Sequence, residues 1–248
     1  MGVPVVKYSQ AMGTFKNPWN RFLARWILPK LSLICARGQI TYDNLAGIGV
    51  KDNVKLCADG AFTMEDEPAA RELVESVKAE DSFYSDADKT LVGLSLSSVV
   101  EKKCTKLGID YAGIMADFIR YLNKDGYKVL IIANAARLGS EKTRNNDLMV
   151  CDRIYDAIED KSMVRWYHKE MDAEEIREYI GSCRFLVASR FHSMIGSLEK
   201  QVPVLLIGWS HKYKEVLDFF ELGEYAIDFT KLDLEDLKKD YESFNLMP

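Results

Sequence analysis

Two apolar patterns alternate along this chain. Short, nearly continuous runs recur at 3–8, 33–36, 54–57, 90–96, 127–134, 163–168, 183–189 and 203–209. Runs of that length, rich in Val, Ile and Leu, predict strands buried on both faces, the pattern of a parallel sheet covered by helices. Between them the apolar residues fall three and four apart, which predicts helices from Pro18 onward and over 41–45, 111–124, 147–159, 172–181, 193–200 and 214–220. The punctuation agrees. Pro18 suits a first helical turn, Asp125-Gly126 and Gly223 stop helices, and Asp172 is a good N-cap ahead of Glu174 and Glu175.

Strands alternating with helices imply βαβ units and a doubly wound parallel sheet in an α/β protein. Right-handed crossovers then gather the loops that leave the strands along one edge, where ligands bind in such sheets. The stretch 64–89 breaks the alternation, being rich in Glu, Asp, Ala and Ser. The expected organisation is a partial, Rossmann-like N-terminal domain over 1–65, a linker helix over 66–89, and a C-terminal α/β domain over 90–248.

Composition excludes several functions. The net charge is −5 with no basic tail, which argues against a nucleic-acid surface and means that an anionic ligand has to be held by a few placed cations. Cys35, Cys57, Cys104, Cys151 and Cys183 form no CxxC or His/Cys cluster, so no metal site is expected. Unpaired thiols fit a reducing cytosol. No run reaches the ~18 apolar residues of a membrane span, and the start lacks the basic and apolar regions of a signal peptide.

The chemistry concentrates in 188–223. A strand end is followed by Ser189-Arg190-Phe191-His192-Ser193 and then a helix. A helix start at the carboxyl edge favours an anion through its backbone N–H groups and dipole. Arg190 adds a planar charged fork suited to carboxylate or phosphate, and His192 can move a proton near neutral pH. Twenty residues on, past the next strand, stands Lys212; adjacent parallel strands would bring it to the pocket of His192. Ser193 adds a neutral donor.

These residues resemble the polysaccharide pyruvyltransferase family. The resemblance rests on Arg190-Phe191-His192, Pro203-Val204 and Trp209-Ser210-His211-Lys212, with weaker support from Asn145-Asn146-Asp147-Leu148, Leu33-Ile34-Cys35-Ala36-Arg37, Leu45, Gly49-Val50 and Ala58-Asp59. It implies a GT-B-like enzyme that transfers a pyruvyl group from phosphoenolpyruvate onto a sugar diol as a ketal, without a cofactor. It implies His192 as catalytic acid or base, with Arg190 and Lys212 holding the donor phosphate or carboxylate and Arg37 at a basic position of the first domain that faces the cleft; Ser193, by its position, is a further donor-binding candidate. The implied partners are phosphoenolpyruvate and a sugar, oligosaccharide or lipid-linked glycan acceptor in exopolysaccharide or cell-surface glycan synthesis. With a lipid-linked acceptor, the stretch Trp19, Phe22, Leu23, Trp26 and Ile27 beside Arg21, Arg25 and Lys30 has two readings: a packed domain helix, or a contact with the inner face of the membrane.

The sequence departs from the family pattern in three places. Gln201 stands where a glycine usually precedes the Val-Pro-Val strand. Ser97-Ser98 replace a basic residue, and no glycine-rich loop follows a first strand, so the expectation is a partial N-terminal domain. Two other functions compete. A nucleotide-sugar glycosyltransferase of the same architecture would carry a ribose-holding glutamate seven residues before Pro203, where this chain has Gly196. A truncated, non-catalytic family member is the other.

Overall fold

The computed structural model describes residues 3–85, 90–140 and 145–245. Its contacts divide the chain into two compact units, Met1–Met64 and Glu65–Pro248.

The first unit holds three parallel strands, β1 (Val6–Gln10), β2 (Leu33–Arg37) and β3 (Val54–Cys57), in that order, with helices α1 (Pro18–Ile27) and α2 (Gln39–Gly47) as connections. Its core is small: Ile34 and Ala36 of β2 pack with Leu45, Ile48, Val50, Val54 and Ala24. Asn17 caps α1, its Oδ1 accepting from the backbone N–H of Trp19 at 2.9 Å and of Asn20 at 3.2 Å. Pro18 occupies the first turn, where its missing N–H costs nothing. The first strand runs later than expected, beginning at Val6, because its register is set by β2, with Val6 opposite Leu33.

The second unit begins with α3 (Pro68–Glu80), which packs along α7 (Ala173–Gly181). Lys200 fastens this corner, donating to Asp66 at 2.5 Å and Glu178 at 2.7 Å. The sheet consists of β4 (Leu91–Leu96), β5 (Lys128–Ala133), β6 (Val164–Trp166), β7 (Phe185–Ala188), β8 (Val204–Gly208) and β9 (Ala226–Asp228). Its order is β6-β5-β4-β7-β8-β9 and every pairing is parallel. Helices α4 (Ser98–Thr105), α5 (Tyr111–Lys124), α6 (Leu148–Asp156), α8 (Phe191–Glu199), α9 (His211–Phe219) and α10 (Leu234–Asn245) complete the unit.

This is the doubly wound α/β arrangement that the alternating pattern predicts. Strand β4 is buried from end to end, as a central strand covered on both faces must be. Gly93 lets it lie close to its neighbours: a Cβ there would stand 2.7 Å from Leu186 Cδ1 and 3.1 Å from Cys183 Sγ. The elements α4, β9 and α10 were not anticipated. Helix α4 is short and its alternation is masked by the Glu101-Lys102-Lys103 run, while α10 buries Leu237 and Tyr241 against the far side of the core.

The strand order matters for function. The chain winds outward from β4 through β5 to β6, then returns to the other side of β4 with β7. The connections leaving β4 and β7 therefore diverge, and a crevice opens at the carboxyl ends of these two strands. Arg190 and His192 follow β7 directly, and Ser97 and Ser98 follow β4.

Candidate functional site

At this switch point the loops after β4, β5 and β7 are tied together by one carboxylate. Asp147, fully buried, ends the loop that follows β5. Its Oδ1 accepts from the Ser98 backbone N–H at 2.9 Å and its Oδ2 from the Ala135 N–H at 3.0 Å. The Arg190 guanidinium closes the arrangement: Nε donates to Oδ2 at 2.8 Å and Nη2 to Oδ1 at 2.5 Å. A long contact of 3.4 Å runs from Nη2 to Ser98 Oγ. Asp147 was expected to begin a helix. It precedes α6 but does not cap it, because both its oxygens are committed to this junction.

The fork of Arg190 is thus half used. Nε and Nη2 face Asp147, whereas Nη1 makes no hydrogen bond among the described residues; 14% of the side chain is exposed. A bidentate pair of this kind fixes the plane of the guanidinium, so the remaining edge is aimed before any ligand arrives.

Arg190 is also the N-cap residue of α8, with extended backbone and no side-chain cap. The first-turn N–H groups of α8 therefore lie at the carboxyl edge of the sheet. Phe191, the first residue of the helix, is buried and carries three neighbours on its ring. The His192 imidazole lies edge-on at 5.5 Å between centroids, the Tyr213 ring edge-on at 5.3 Å, and the Lys212 ammonium 4.7 Å from the ring centre. Lys212 also lies 5.5 Å from the Trp209 ring and 5.4 Å from that of Tyr213. On α4, Lys103 Nζ stands 4.9 Å from the same Trp209 ring. A cation over an aromatic face is attracted by the ring quadrupole.

Arg190, His192 and Lys212 are accordingly brought to one strand edge, with Phe191 joining the last two. His192 itself is exposed. Ser193 is placed differently. It is completely buried, and its hydroxyl pairs with Ser95 Oγ of β4 at 2.6 Å. Tyr111 Oη and Ser189 Oγ make a second buried hydroxyl pair at 2.9 Å. The first pair pins α8 to β4 and the second ties the end of β7 to α5 beneath the crevice, which makes Ser193 an anchor of the helix.

Burial pushes the Tyr213 phenol up to about 12, against the pull of the nearby Arg190 charge. Burial likewise raises Tyr111, opposed by its hydrogen bond to Ser189. Both phenols stay protonated and act as hydroxyls.

Arg37 belongs to the first unit. It ends β2, and its Nη1 donates at 2.5 Å to Asp59, which follows β3 and also caps a 3-10 turn through Ala61 N–H. Its side chain is 19% exposed. His168, at the end of β6, bonds through Nδ1 with Asp152 at 2.8 Å.

Sequence reasoning quoted Asp147 and Phe191 within motifs but gave them no role in the site, and it did not single out Tyr213 or Lys103. The signal for Phe191 was present, since it lies between the two residues already chosen. Nothing local to Asp147 reveals a partner 43 residues away. Among the described residues, no group of three or more His, Cys, Asp or Glu side chains is placed to hold a metal ion, and no helix is long and apolar enough to cross a membrane.

Comparison with known proteins adds family and fold. The family described as Polysaccharide pyruvyl transferase matches residues 1–211. A curated relative, the amylovoran biosynthesis protein AmsJ of Erwinia amylovora, is 20% identical over 231 residues, covering 92% of this chain and 55% of its own length. The chain thus spans about half the length of that relative. Among solved structures, the glycosyl transferase family 9 protein of Veillonella parvula DSM 2008 superposes with a TM-score of 0.53 at 17% identity, covering 91% of this chain and 65% of that one. MnaA of S. aureus, solved with UDP, gives a TM-score of 0.51 at 10% identity, covering 99% and 70%. These likenesses establish a GT-B-like α/β fold.

Proposed function

The chain belongs to the polysaccharide pyruvyl transferase family, and from that premise we propose that it transfers the pyruvyl group of phosphoenolpyruvate to two hydroxyls of a sugar, forming a ketal in exopolysaccharide or cell-surface glycan synthesis. The observation that carries this reading is the meeting of Arg190, His192 and Lys212 at the switch point, organised by Asp147 and Phe191.

Phosphoenolpyruvate has a carboxylate and a phosphate on one small carbon, so it needs several cations within a few ångströms. In a chain of net charge −5 these have to be placed individually. The outer edge of Arg190 suits the planar carboxylate, and Lys212 suits the phosphate as a point charge. His192 delivers a proton to the methylene carbon, which becomes the methyl group and leaves a cationic centre at C2. One sugar hydroxyl adds there, phosphate departs, and the second hydroxyl closes the ring. The two hydroxyl protons end on the methyl group, by way of His192, and on phosphate. A positioned general acid accounts for roughly 10²–10⁴ in rate, and donors aimed at the leaving phosphate supply a further share. The reaction as drawn calls on no cofactor. The five cysteines, none of them in a disulfide, support the cytoplasm as its place.

A nucleotide-sugar donor fits less well. Gly196, where a ribose-holding glutamate would stand, is buried, and a Cβ there would lie 3.2 Å from Arg177 Cγ. Glu199 is occupied by Arg177, whose Nε donates to it at 2.8 Å. Calorimetry with phosphoenolpyruvate and with a UDP-sugar tests the choice. Heat with the first and none with the second is expected; the reverse would replace the reading with a glycosyltransferase.

A further inference from the structure

We propose that α1 docks the protein on an anionic lipid surface. This helix buries a single residue, Ala24. On a wheel of ~3.6 residues per turn, Phe22, Trp26, Trp19, Leu23 and Ile27 fall on one continuous arc of roughly 140° that points away from Ala24. The helix therefore has two apolar faces. One is satisfied by the core of its unit; the other lies in water, with Trp19 74%, Phe22 60% and Trp26 59% exposed. Five large apolar side chains in one contiguous patch are beyond what scattered surface hydrophobics explain.

The charges flanking the patch choose its occupant. Arg21 and Arg25 border it, and Lys30 Nζ stands 3.8 Å above the Trp26 ring. Pro18, Arg21, Phe22, Arg25 and Trp26 line an open groove of about 500 Å³, in which a phosphate between two guanidinium groups would have aromatic walls for its acyl stem. Residues 1–42 contain Lys7, Lys16, Arg21, Arg25, Lys30 and Arg37 and no acid; the first carboxylate is Asp43. In a chain that is acidic as a whole, this segment is the part an anionic membrane attracts while it repels the rest. A bilayer interface supplies apolar depth for Trp and Phe and phosphates for Arg in one plane. A second copy of this chain fits less well, because a two-fold contact through α1 would set like charges against each other with no acid on the helix to relieve them.

The test uses the full chain with phosphatidylcholine vesicles and with vesicles containing phosphatidylglycerol. Co-sedimentation is expected with the anionic vesicles only, falling as salt is raised. The double variant R21E/R25E, on exposed positions, should keep its thermal unfolding profile and bind on the order of tenfold or more weakly. F22D should lose binding as well. Brominated lipid should quench tryptophan emission of the parent chain and not that of W19F/W26F beyond background. Failure of the folded chain to sediment with anionic vesicles would overturn the proposal, as would equal binding by R21E/R25E. A concentration-dependent dimer that F22D dissociates, without vesicle binding, would assign the face to self-association instead. None of these readouts depends on the donor or the reaction.

Discussion

Arg190 and Asp147, 43 residues apart, form a two-point ion pair in which Nε and Nη2 each meet one carboxylate oxygen while the same oxygens accept backbone N–H groups from Ser98 and Ala135. One buried carboxylate thereby joins the exits of β4, β5 and β7 and orients the cation beside the crevice. The pair is thus part of the frame of the candidate site, and one of its members is the proposed donor-binding cation.

Asp147→Asn tests both roles. The amide retains the size of the carboxylate but leaves the Arg190 charge uncompensated and presents an NH₂ to a backbone N–H. Loss of one partner from a buried pair costs about 3–5 kcal/mol, so urea unfolding should show a lower midpoint with an unchanged slope. The donor should also bind more weakly in calorimetry, because the guanidinium is no longer held in plane. A variant as stable as the parent would mean that the junction does not depend on this pair.

Ser193 separates anchoring from ligand contact. Its hydroxyl is engaged with Ser95 under the crevice, so Ser193→Ala should cost about 1 kcal/mol of stability and leave the donor dissociation constant within about twofold. A large loss of donor affinity at unchanged stability would instead place Ser193 among the groups that touch the donor, as its position in the sequence suggests.

Alkaline titration tests the burial of Tyr213. A phenol raised from 10 to about 12 in the folded protein keeps its proton longer folded than unfolded. Its contribution is fully present below pH 10 and is lost as pH rises through about 12, which amounts to about 2–3 kcal/mol over that span. Tyr213→Phe should remove close to one proton from the pH dependence of unfolding between those limits. An unchanged slope would show that the phenol is not desolvated.

How far the sequence carries can be read from particular residues. The run 127–134 announces β5, and the Asp172 cap announces α7, because such elements are set by local periodicity and local hydrogen bonds; the cap is realised in the bond from Glu175 N–H to Asp172 at 2.7 Å. Arg190, His192 and Lys212 were legible as residues following strands, since a doubly wound sheet sends every such exit to one edge. Asp147 was not, because its role depends on the strand order, and a sequence does not state that β5 and β7 flank β4. The pairing of Ser193 with Ser95 was not legible for a related reason: it follows from the packing of α8 on β4, 98 residues away in the chain. Helix α10 was missed because its pattern is mostly charged, with Leu234, Leu237 and Tyr241 marking the side that meets the core.

His192 is proposed to move a proton to phosphoenolpyruvate at this crevice. The most direct measurement is release of inorganic phosphate from phosphoenolpyruvate in the presence of a sugar-diol acceptor, for the parent chain and for His192→Ala, with thermal unfolding followed in parallel. Turnover should drop roughly 10²–10⁴-fold with stability changed by no more than about 0.5 kcal/mol, since the side chain is exposed. Phosphate release that proceeds undiminished without the imidazole would contradict it.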